Sequence, residues 1–300
     1  MSLGAIPGTG PATSPLSVIR KIKPKTFADL PTDRTLVMGI LNITEDSFSD
    51  GGKYLDSGAA IDHGLKLLYS GADIIDVGGE STRPGALDVD PALEQERILP
   101  VVRALVKGGA VVSVDTMHVD TARAAIEAGA HIINDVSGLT YEAGMPELIA
   151  ETGVPYVLMH RRGTAQTMVT EANYTDVLAE VLQELRQLRD EFVAKGVKPE
   201  QLIIDPGLGF AKDAEHNWAL LANTHALEAL GHKVLIGTSR KRFLGELLTD
   251  SGKPRPAATR DAATAATTTL AASNGVWAVR VHDVQGSRDA IEVVKAHGSH

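Results

Sequence analysis

Polar side chains stand where short apolar runs of this sequence end, and they include carboxylates, amides, hydroxyls and cations. Eight such groups occur: Asn42; Ser81, Thr82 and Arg83; Asp115; Asn134 and Asp135; His160; Asp205; Ser239 to Lys241; and Arg280 with His282. A single Asp or Asn after a strand is more often a turn former than a functional residue. Eight groups at comparable places are hard to explain as turns, so together they predict a binding or catalytic site.

Three of these residues are suited to recognising a polar heterocycle. Asp115 and Asp205 carry carboxylates that accept paired N–H groups, and Asn134 adds a donor and an acceptor. Such a buried row fits the amide and guanidine-like edge of a ring system such as a pterin.

The cations near the end of the chain predict a phosphorylated ligand. Lys241 near a helix start, with Arg280 and His282, can neutralise a diphosphate in a protein whose formal charge is -9. The alternative for the run Arg240, Lys241 and Arg242 is a solvated basic face. We expect that for one or two of them, because three consecutive side chains cannot all face one pocket.

The elements that must position these residues are eight short apolar strands. The runs are LVMGIL (36–41), DIIDV (73–77), VVSVD (111–115), HIIND (131–135), YVLMH (156–160), LIID (202–205), KVLIG (233–237) and AVRVH (278–282). Continuous apolarity indicates strands covered on both faces. Ala- and Leu-rich amphipathic stretches separate the runs, the pattern of successive βα units. Expected N-terminal helix caps are Asp56 or Ser57, Asp90 before Pro91, and Thr259 or Asp261.

This alternation favours an α/β fold, a single (β/α)8 TIM barrel. A doubly wound open sheet is the competing architecture, but no GxGxxG turn follows the first strand. In a barrel the active site lies at the carboxyl ends of the strands, and phosphate commonly binds near strands seven and eight. Both expectations match the places of the polar residues.

Composition sets the remaining limits. The chain has 300 residues, 43% hydrophobic and 22% charged, without cysteine. We expect a loose extension over residues 1–30, rich in Gly, Pro, Ser and Thr, and a barrel over 31–297. The acidic balance argues against nucleic-acid binding, no apolar run is long enough to span a membrane, and the lack of cysteine and of a signal-peptide pattern favours the cytoplasm.

Metal and nucleophile motifs are absent from the sequence. It contains no HExxH helix motif and no GxSxG turn. Magnesium can still enter with a diphosphate, held by one protein oxygen such as the Asn42 side chain together with waters and phosphate oxygens.

The sequence strongly resembles the dihydropteroate synthase family of the folate pathway. The likeness rests on MGILNITEDSFSDGG, DIIDVGGESTRPGA, VSVDT, INDVSG, LMHRRG, IIDPGLGFAK, LIGTSRKRFLG and VRVHDV, in one order from about residue 36 to 284. The loops NITEDSFSDGGKY and GGESTRPGA within it are expected to close over a substrate.

The resemblance implies roles for individual residues. Asn42 resembles the ligand of magnesium and diphosphate, and Arg280 and His282 would hold the diphosphate. The residues that resemble the pterin pocket are Asp115, Asn134, Asp205 and Lys241. Those that resemble the 4-aminobenzoate side are Thr82, Arg83, Pro84, Phe210 and Ser239.

The implied reaction joins (7,8-dihydropterin-6-yl)methyl diphosphate to 4-aminobenzoate and releases diphosphate and 7,8-dihydropteroate. The family likeness also suggests a homodimer. Two alternatives stay open at this point. A pterin-binding methyltransferase domain shares the Asp and Asn row but lacks diphosphate chemistry, and a noncatalytic paralogue could keep the same residues.

Overall fold

Eight parallel strands close into a barrel in the order in which they occur along the chain. The computed structural model describes residues 25–44, 57–81, 85, 89–168, 170–250 and 252–299. The strands are β1 Leu36–Asn42, β2 Ile74–Gly78, β3 Val111–Asp115, β4 Ile132–Asp135, β5 Tyr156–Met159, β6 Leu202–Asp205, β7 Lys233–Ile236 and β8 Ala278–Val281. The predicted TIM barrel is confirmed, and every predicted strand occurs within one residue of its predicted bounds.

Helices surround the barrel in the described part of the chain. They are α1 Ser57–Tyr69, α2 Pro91–Lys107, α3 Val119–Glu127, α4 Met145–Thr152, α5 Val177–Ala194, α6 Ala214–Ala222, α7 Thr224–Glu228, α8 Arg242–Leu247, α9 Asp261–Ser273 and α10 Val284–His297. Among these residues every helix is too short or too polar to cross a bilayer.

The alternation of side chains along each strand explains why the site residues face inward. A buried apolar layer fills the barrel interior and consists of Leu36, Met38, Ile74, Val111, Ile132, Val157, Ile203, Leu235 and Ala278. Successive side chains on a strand point to opposite faces. Residues two or four positions after this layer therefore also face the interior, and these include Asp76, Asp115, Asn134, Asp205 and Arg280. The apolar layer closes the barrel beneath a polar layer.

The helix caps were predicted in part. Asp90 precedes Pro91 at the start of α2 and accepts a hydrogen bond from Ala92 N, as expected. The expected cap at Thr259 or Asp261 is wrong, because α9 begins at Asp261 after Arg260 and has no side-chain cap. The Asp261 carboxylate is instead paired with Arg240. Asp56 lies outside the described residues.

The N-terminal segment enters the description at residue 25. A single 3-10 turn, Phe27–Asp29, precedes the barrel, and Phe27 packs against Trp277 with ring centroids 5.9 Å apart. Phe27 and Leu30 contact the apolar layer of the barrel interior. Residues 1–24 of the predicted extension lie outside the described residues, so the division at residues 30 and 31 stays a prediction.

Candidate active site

Arg280 forms the centre of a buried polar cluster at the carboxyl ends of the strands. Its Nε donates to Asp76 Oδ2 at 2.6 Å, and its Nη2 donates to Asp115 Oδ2 at 2.6 Å. Asn134 Nδ2 donates to the same Asp76 oxygen at 3.1 Å. We call Asp76, Asp115, Asn134 and Arg280 the Arg280 cluster. The structure thus brings together three residues that the sequence predicted for the site.

Asp76 is the member of the Arg280 cluster that sequence reasoning missed. It is fully buried and lies inside β2, in the run DIIDV, and not at the strand end where the other polar site residues were expected. A charged residue in the middle of such a run is itself a signal, because almost no carboxylate is fully buried without a partner. That partner, Arg280, is 204 positions away, and the strand pattern does not reveal it.

Electrostatics in the Arg280 cluster is dominated by burial. Removal from water raises the pKa of Asp115 to about 7, and the nearby Asp76 carboxylate adds to this effect. Arg280 opposes it by favouring the ionised form. The Asp115 carboxylate is thereby held at the border between its two protonation states at neutral pH, where a change in nearby charge has a large effect on it.

The second polar group of the rim contains Asp205 and Lys241. Asp205 ends β6 and accepts a hydrogen bond from Gly207 N at 2.7 Å. Burial raises its pKa, against the opposing charge of Lys241. Lys241 donates to the Leu208 carbonyl and lies 4.8 Å from the centre of the Phe210 ring. Burial lowers the Lys241 pKa to about 8, although Asp205 favours its charged form.

Ser239 and His282 contact each other across the ends of β7 and β8. Ser239 Oγ lies 2.9 Å from His282 Nδ1 and also accepts a hydrogen bond from His282 N at 3.1 Å. Of the neighbouring cations, Arg240 is paired with Asp261 and Arg242 is exposed beside Glu246. Among the three consecutive cations, Lys241 is therefore the one that contacts the other rim residues, and it is half-buried.

Other predicted residues are placed differently. Asn42 ends β1, half-buried, with Gly78 as its register partner on β2. Asp135 faces away from the barrel interior and accepts hydrogen bonds from Ser137 N and the Tyr156 hydroxyl. The prediction that Asp135 belongs to the site is thus wrong, because its carboxylate stabilises the barrel wall. Thr82, Arg83, Pro84 and Phe48 lie outside the described residues.

Comparison with known proteins decides the family. Residues 38–282 match the family of pterin binding enzymes. The dihydropteroate synthase of Mycobacterium leprae is 53% identical over 262 residues, which cover 87% of this chain and 92% of that protein. Two structures of the Xanthomonas albilineans dihydropteroate synthase are similar. One, with 4-aminobenzoic acid, has a TM-score of 0.80 at 42% identity and covers 89% of this chain and 94% of its own. The other, in complex with 7,8-dihydropteroate, has a TM-score of 0.80 at 39% identity, with 90% and 96% covered.

The chain belongs to the dihydropteroate synthase family. The resemblance seen in the sequence is confirmed, and the chain is accordingly a transferase of folate biosynthesis. The two alternatives, a methyltransferase domain and a noncatalytic paralogue, are affected differently. Identity of 53% to a synthase over most of both chains argues against the methyltransferase domain. A noncatalytic paralogue would keep the same fold by descent, and turnover is what separates it from an enzyme.

A further charged group in this dihydropteroate synthase family member stands beside the second loop. His118 Nε2 lies 3.5 Å from Glu80 Oε2, and His118 Nδ1 lies 3.0 Å from Glu142 Oε1. The two carboxylates raise the His118 pKa to about 9, and Glu80 has the larger effect. Partial burial opposes this rise, because it disfavours the charged ring. His118 is thus paired with carboxylates that lie far from it in sequence, so no local pattern indicates these contacts.

Proposed function

We propose that this chain transfers the (7,8-dihydropterin-6-yl)methyl group from its diphosphate ester to the amine of 4-aminobenzoate. The observation that carries the proposal is the Arg280 cluster, a buried set of paired carboxylates, amide and guanidinium that includes two residues of the expected pterin pocket, Asp115 and Asn134. Dihydropteroate synthases with 7,8-dihydropteroate and with 4-aminobenzoic acid share this fold over most of the chain.

Pterin recognition is assigned to the carboxylates and the amide. Asp115, Asn134 and Asp205 are nearly fully buried and come from three different strands. In a site shielded from water, a carboxylate that accepts two ring N–H groups and an amide that both donates and accepts discriminate strongly between heterocycles. Lys241 lies over the Phe210 ring, and the charge of Asp205 favours the protonated form of its amine. It therefore lies between the residues assigned to the pterin and those assigned to 4-aminobenzoate.

The chemical step breaks one bond and forms another at the same carbon. The methylene C–O bond breaks and its electron pair leaves with diphosphate, while positive charge spreads over the methylene and the pterin ring. The amine lone pair then forms the C–N bond and the nitrogen loses a proton. Asp115 stabilises the developing positive charge, and Arg280 and His282 stabilise the leaving group. The aromatic amine is neutral near pH 7, so positioning supplies much of the rate.

Magnesium is proposed as the cation that accompanies the diphosphate. Within the described ranges no three His, Asp or Glu side chains come together as a metal cluster. Asn42 supplies one carbonyl oxygen at the rim, which fits a small ion that keeps most of its waters and binds mainly through phosphate oxygens. When bound, the ion would neutralise charge on the leaving diphosphate.

The 4-aminobenzoate is assigned to the side of the site that contains Phe210 and Ser239. Phe210 follows β6 and Ser239 follows β7, so both lie at the same end of the barrel as the Arg280 cluster. Thr82, Arg83 and Pro84 of the second loop complete this assignment by family resemblance. An aromatic ring and a hydroxyl suit a flat substrate with one polar end.

We also propose a cytoplasmic homodimer that has no nucleic-acid or membrane partner. Two large apolar side chains, Leu247 on α8 and Leu270 on α9, are 62% and 54% exposed. The support for a homodimer is the family resemblance, and these leucines are apolar side chains available to such a contact. Sedimentation of the purified chain measures the assembly state, and a monomer at micromolar concentration would contradict the dimer.

The experiment that tests the function is release of diphosphate in the presence of magnesium. We expect release that requires both the dihydropterin diphosphate and 4-aminobenzoate, with 7,8-dihydropteroate as the product detected by mass spectrometry. Asp115→Asn serves as the variant control, since it keeps the shape of the side chain and removes its charge. Methyl transfer from a reduced folate, or no turnover, would contradict the proposal.

A further inference from the structure

His160 follows β5 at the rim, is completely buried and has no part in the site described above. Its Nε2 lies 2.8 Å from Glu184 Oε2 on α5, and its Nδ1 lies 2.9 Å from the amine nitrogen of Lys212. Lys212 is buried as well, in the segment between β6 and α6. Two buried ionisable side chains in contact indicate a specific arrangement, because burying them without partners is costly.

The direction of the hydrogen bonds follows from Arg162. Its guanidinium donates from Nε to both Glu184 oxygens at 3.1 Å. Burial opposes the charge on Glu184, but the bonds from His160 and Arg162 outweigh it and lower its pKa to about 2. An ionised Glu184 accepts, so His160 Nε2 carries the hydrogen. Burial, with the charge of Lys212, lowers the His160 pKa to about 4. The ring is therefore neutral, and its Nδ1 accepts from Lys212.

Lys212 has a second acceptor, and this one belongs to the substrate site. Its Nζ donates to the Phe210 carbonyl at 3.0 Å. Ala211, between Phe210 and Lys212 in the chain, has a φ of +49°. This is a left-handed conformation, which residues with a Cβ adopt at a cost in energy. The hydrogen bond from Lys212 to the Phe210 carbonyl joins the two neighbours of Ala211, and so it holds the backbone in this conformation.

The segment held by Lys212 is the one that contacts Lys241. Lys241 binds the Leu208 carbonyl and lies over the Phe210 ring. Two lysines thus bind two carbonyls of the segment 206–213, the half-buried Lys241 at Leu208 and the buried Lys212 at Phe210. The fit against β5 is close, since a Cβ at Gly207 (φ +66°) would lie 1.8 Å from the His160 carbonyl oxygen. A small displacement of the segment therefore moves the Phe210 ring relative to Lys241.

We propose that Lys212 is a positioning residue for the transfer reaction. The row Arg162, Glu184 and His160 directs its amine toward the Phe210 carbonyl, and this sets the Phe210 ring for 4-aminobenzoate. The proposal rests on the proposed function, in which Phe210 lies on the 4-aminobenzoate side. Lys212 acts mainly through the backbone of the segment. Asp115 and Asn134 of the pterin pocket keep their own contacts in the Arg280 cluster, whereas Asp205 also feels the charge of Lys212.

The test is a comparison of Michaelis constants in Lys212→Met, which keeps the length of the side chain and removes its donor. We expect the KM for 4-aminobenzoate to rise about tenfold, the effect of losing a buried hydrogen bond. The KM for the dihydropterin diphosphate should rise less, by about threefold at most, because Lys212 reaches Asp205 of the pterin row through its charge alone. The control is Lys195→Met, which removes an exposed lysine of the α5 terminus and leaves both constants unchanged.

Glu184→Gln tests the same row from its partly exposed end and keeps the proposal testable if Lys212→Met unfolds. The neutral amide no longer fixes the His160 tautomer, so we expect a smaller rise, about threefold, in the KM for 4-aminobenzoate alone. Proportional losses for both substrates, or unchanged constants in folded variants, would overturn the role of Lys212. Absence of turnover in the unaltered chain would instead contradict the proposed function.

Discussion

The guanidinium of Arg280 on β8 lies between two carboxylates of the barrel interior, and its Nη2 is 2.6 Å from Asp115 Oδ2 on β3. The two residues are 165 positions apart and meet because both strands contribute inward-facing side chains above the apolar layer. Asp76 holds the other edge of the same guanidinium. Arg280 is thus held in one orientation by the protein itself, which is the preorganisation that its proposed diphosphate role requires.

Removal of Asp76 should cost stability. In Asp76→Ala the Nε edge of Arg280 loses its acceptor and Asn134 loses the oxygen to which it donates. Breaking a buried ion pair by removing one partner costs about 3 kcal/mol of unfolding free energy. Urea denaturation measures this change. Asp190→Ala, at an exposed position, is the control and should change stability by less than about 0.5 kcal/mol. Equal stability of Asp76→Ala and the unaltered chain would contradict the orienting role.

Ionisation of Asp115 should appear in the pH dependence of turnover. Burial raises its pKa to about 7 in the free protein, so the fraction that is ionised falls as pH drops below that value. If the carboxylate must be charged to stabilise the pterin cation, kcat/KM for the dihydropterin diphosphate falls about tenfold per pH unit on the acid side.

Two variants identify the source of that pH dependence. Asp115→Asn should lose the acid limb and be slower at pH 8 by about a hundredfold, as expected for lost transition-state stabilisation. Asp205→Asn is the matched comparison, because burial also raises the Asp205 pKa. It should keep the limb. An acid limb that survives in Asp115→Asn and disappears in Asp205→Asn would show that Asp205 titrates, and it would contradict the assignment to Asp115.

His282 is expected to act on the diphosphate. It ends the β8 rim beside Ser239, which binds its Nδ1 and its backbone N–H. His282→Ala should weaken binding of inorganic diphosphate with magnesium by about tenfold, since one charge-assisted contact is lost. Titration calorimetry measures the affinity. His225→Ala, on the exposed side of α7, should bind as the unaltered chain does, and equal affinity in His282→Ala would rule out the contact.

How much of this site the sequence could predict depends on where each residue lies in its strand. Asp115, Asn134 and Asp205 stop apolar runs, so the change from apolar to polar marks both the strand end and the rim. The eight strands followed from the same contrast. Asp76 lies within its run, and only the alternation of inward and outward side chains would have separated it from Asp73, which directly precedes β2.

Contacts between distant elements are what the sequence could not show. His160 has no recognisable motif, because its partners Glu184 and Lys212 come from α5 and from the segment after β6. The same holds for Asp261, which was expected to cap α9 and pairs with Arg240. Local propensity predicts a helix start or a strand end, whereas these pairs depend on how the barrel closes.

The stability of the protein should depend on His118 in a defined pH window. Glu80 and Glu142 raise its folded-state pKa to about 9, above the ordinary value of 6.5. A raised histidine pKa means that the folded state holds the proton more tightly, so the stabilisation is complete below pH 6.5 and is lost as pH rises through about 9. His118→Gln should therefore unfold at lower urea concentration than the unaltered chain at pH 6, and the two midpoints should converge toward pH 10.

His63→Gln is the comparison of opposite sign, because burial lowers the His63 pKa and charging it at low pH opposes folding. A gap between His118→Gln and the unaltered chain that is constant from pH 6 to 10 would show that the side chain stabilises by packing and not by its charge.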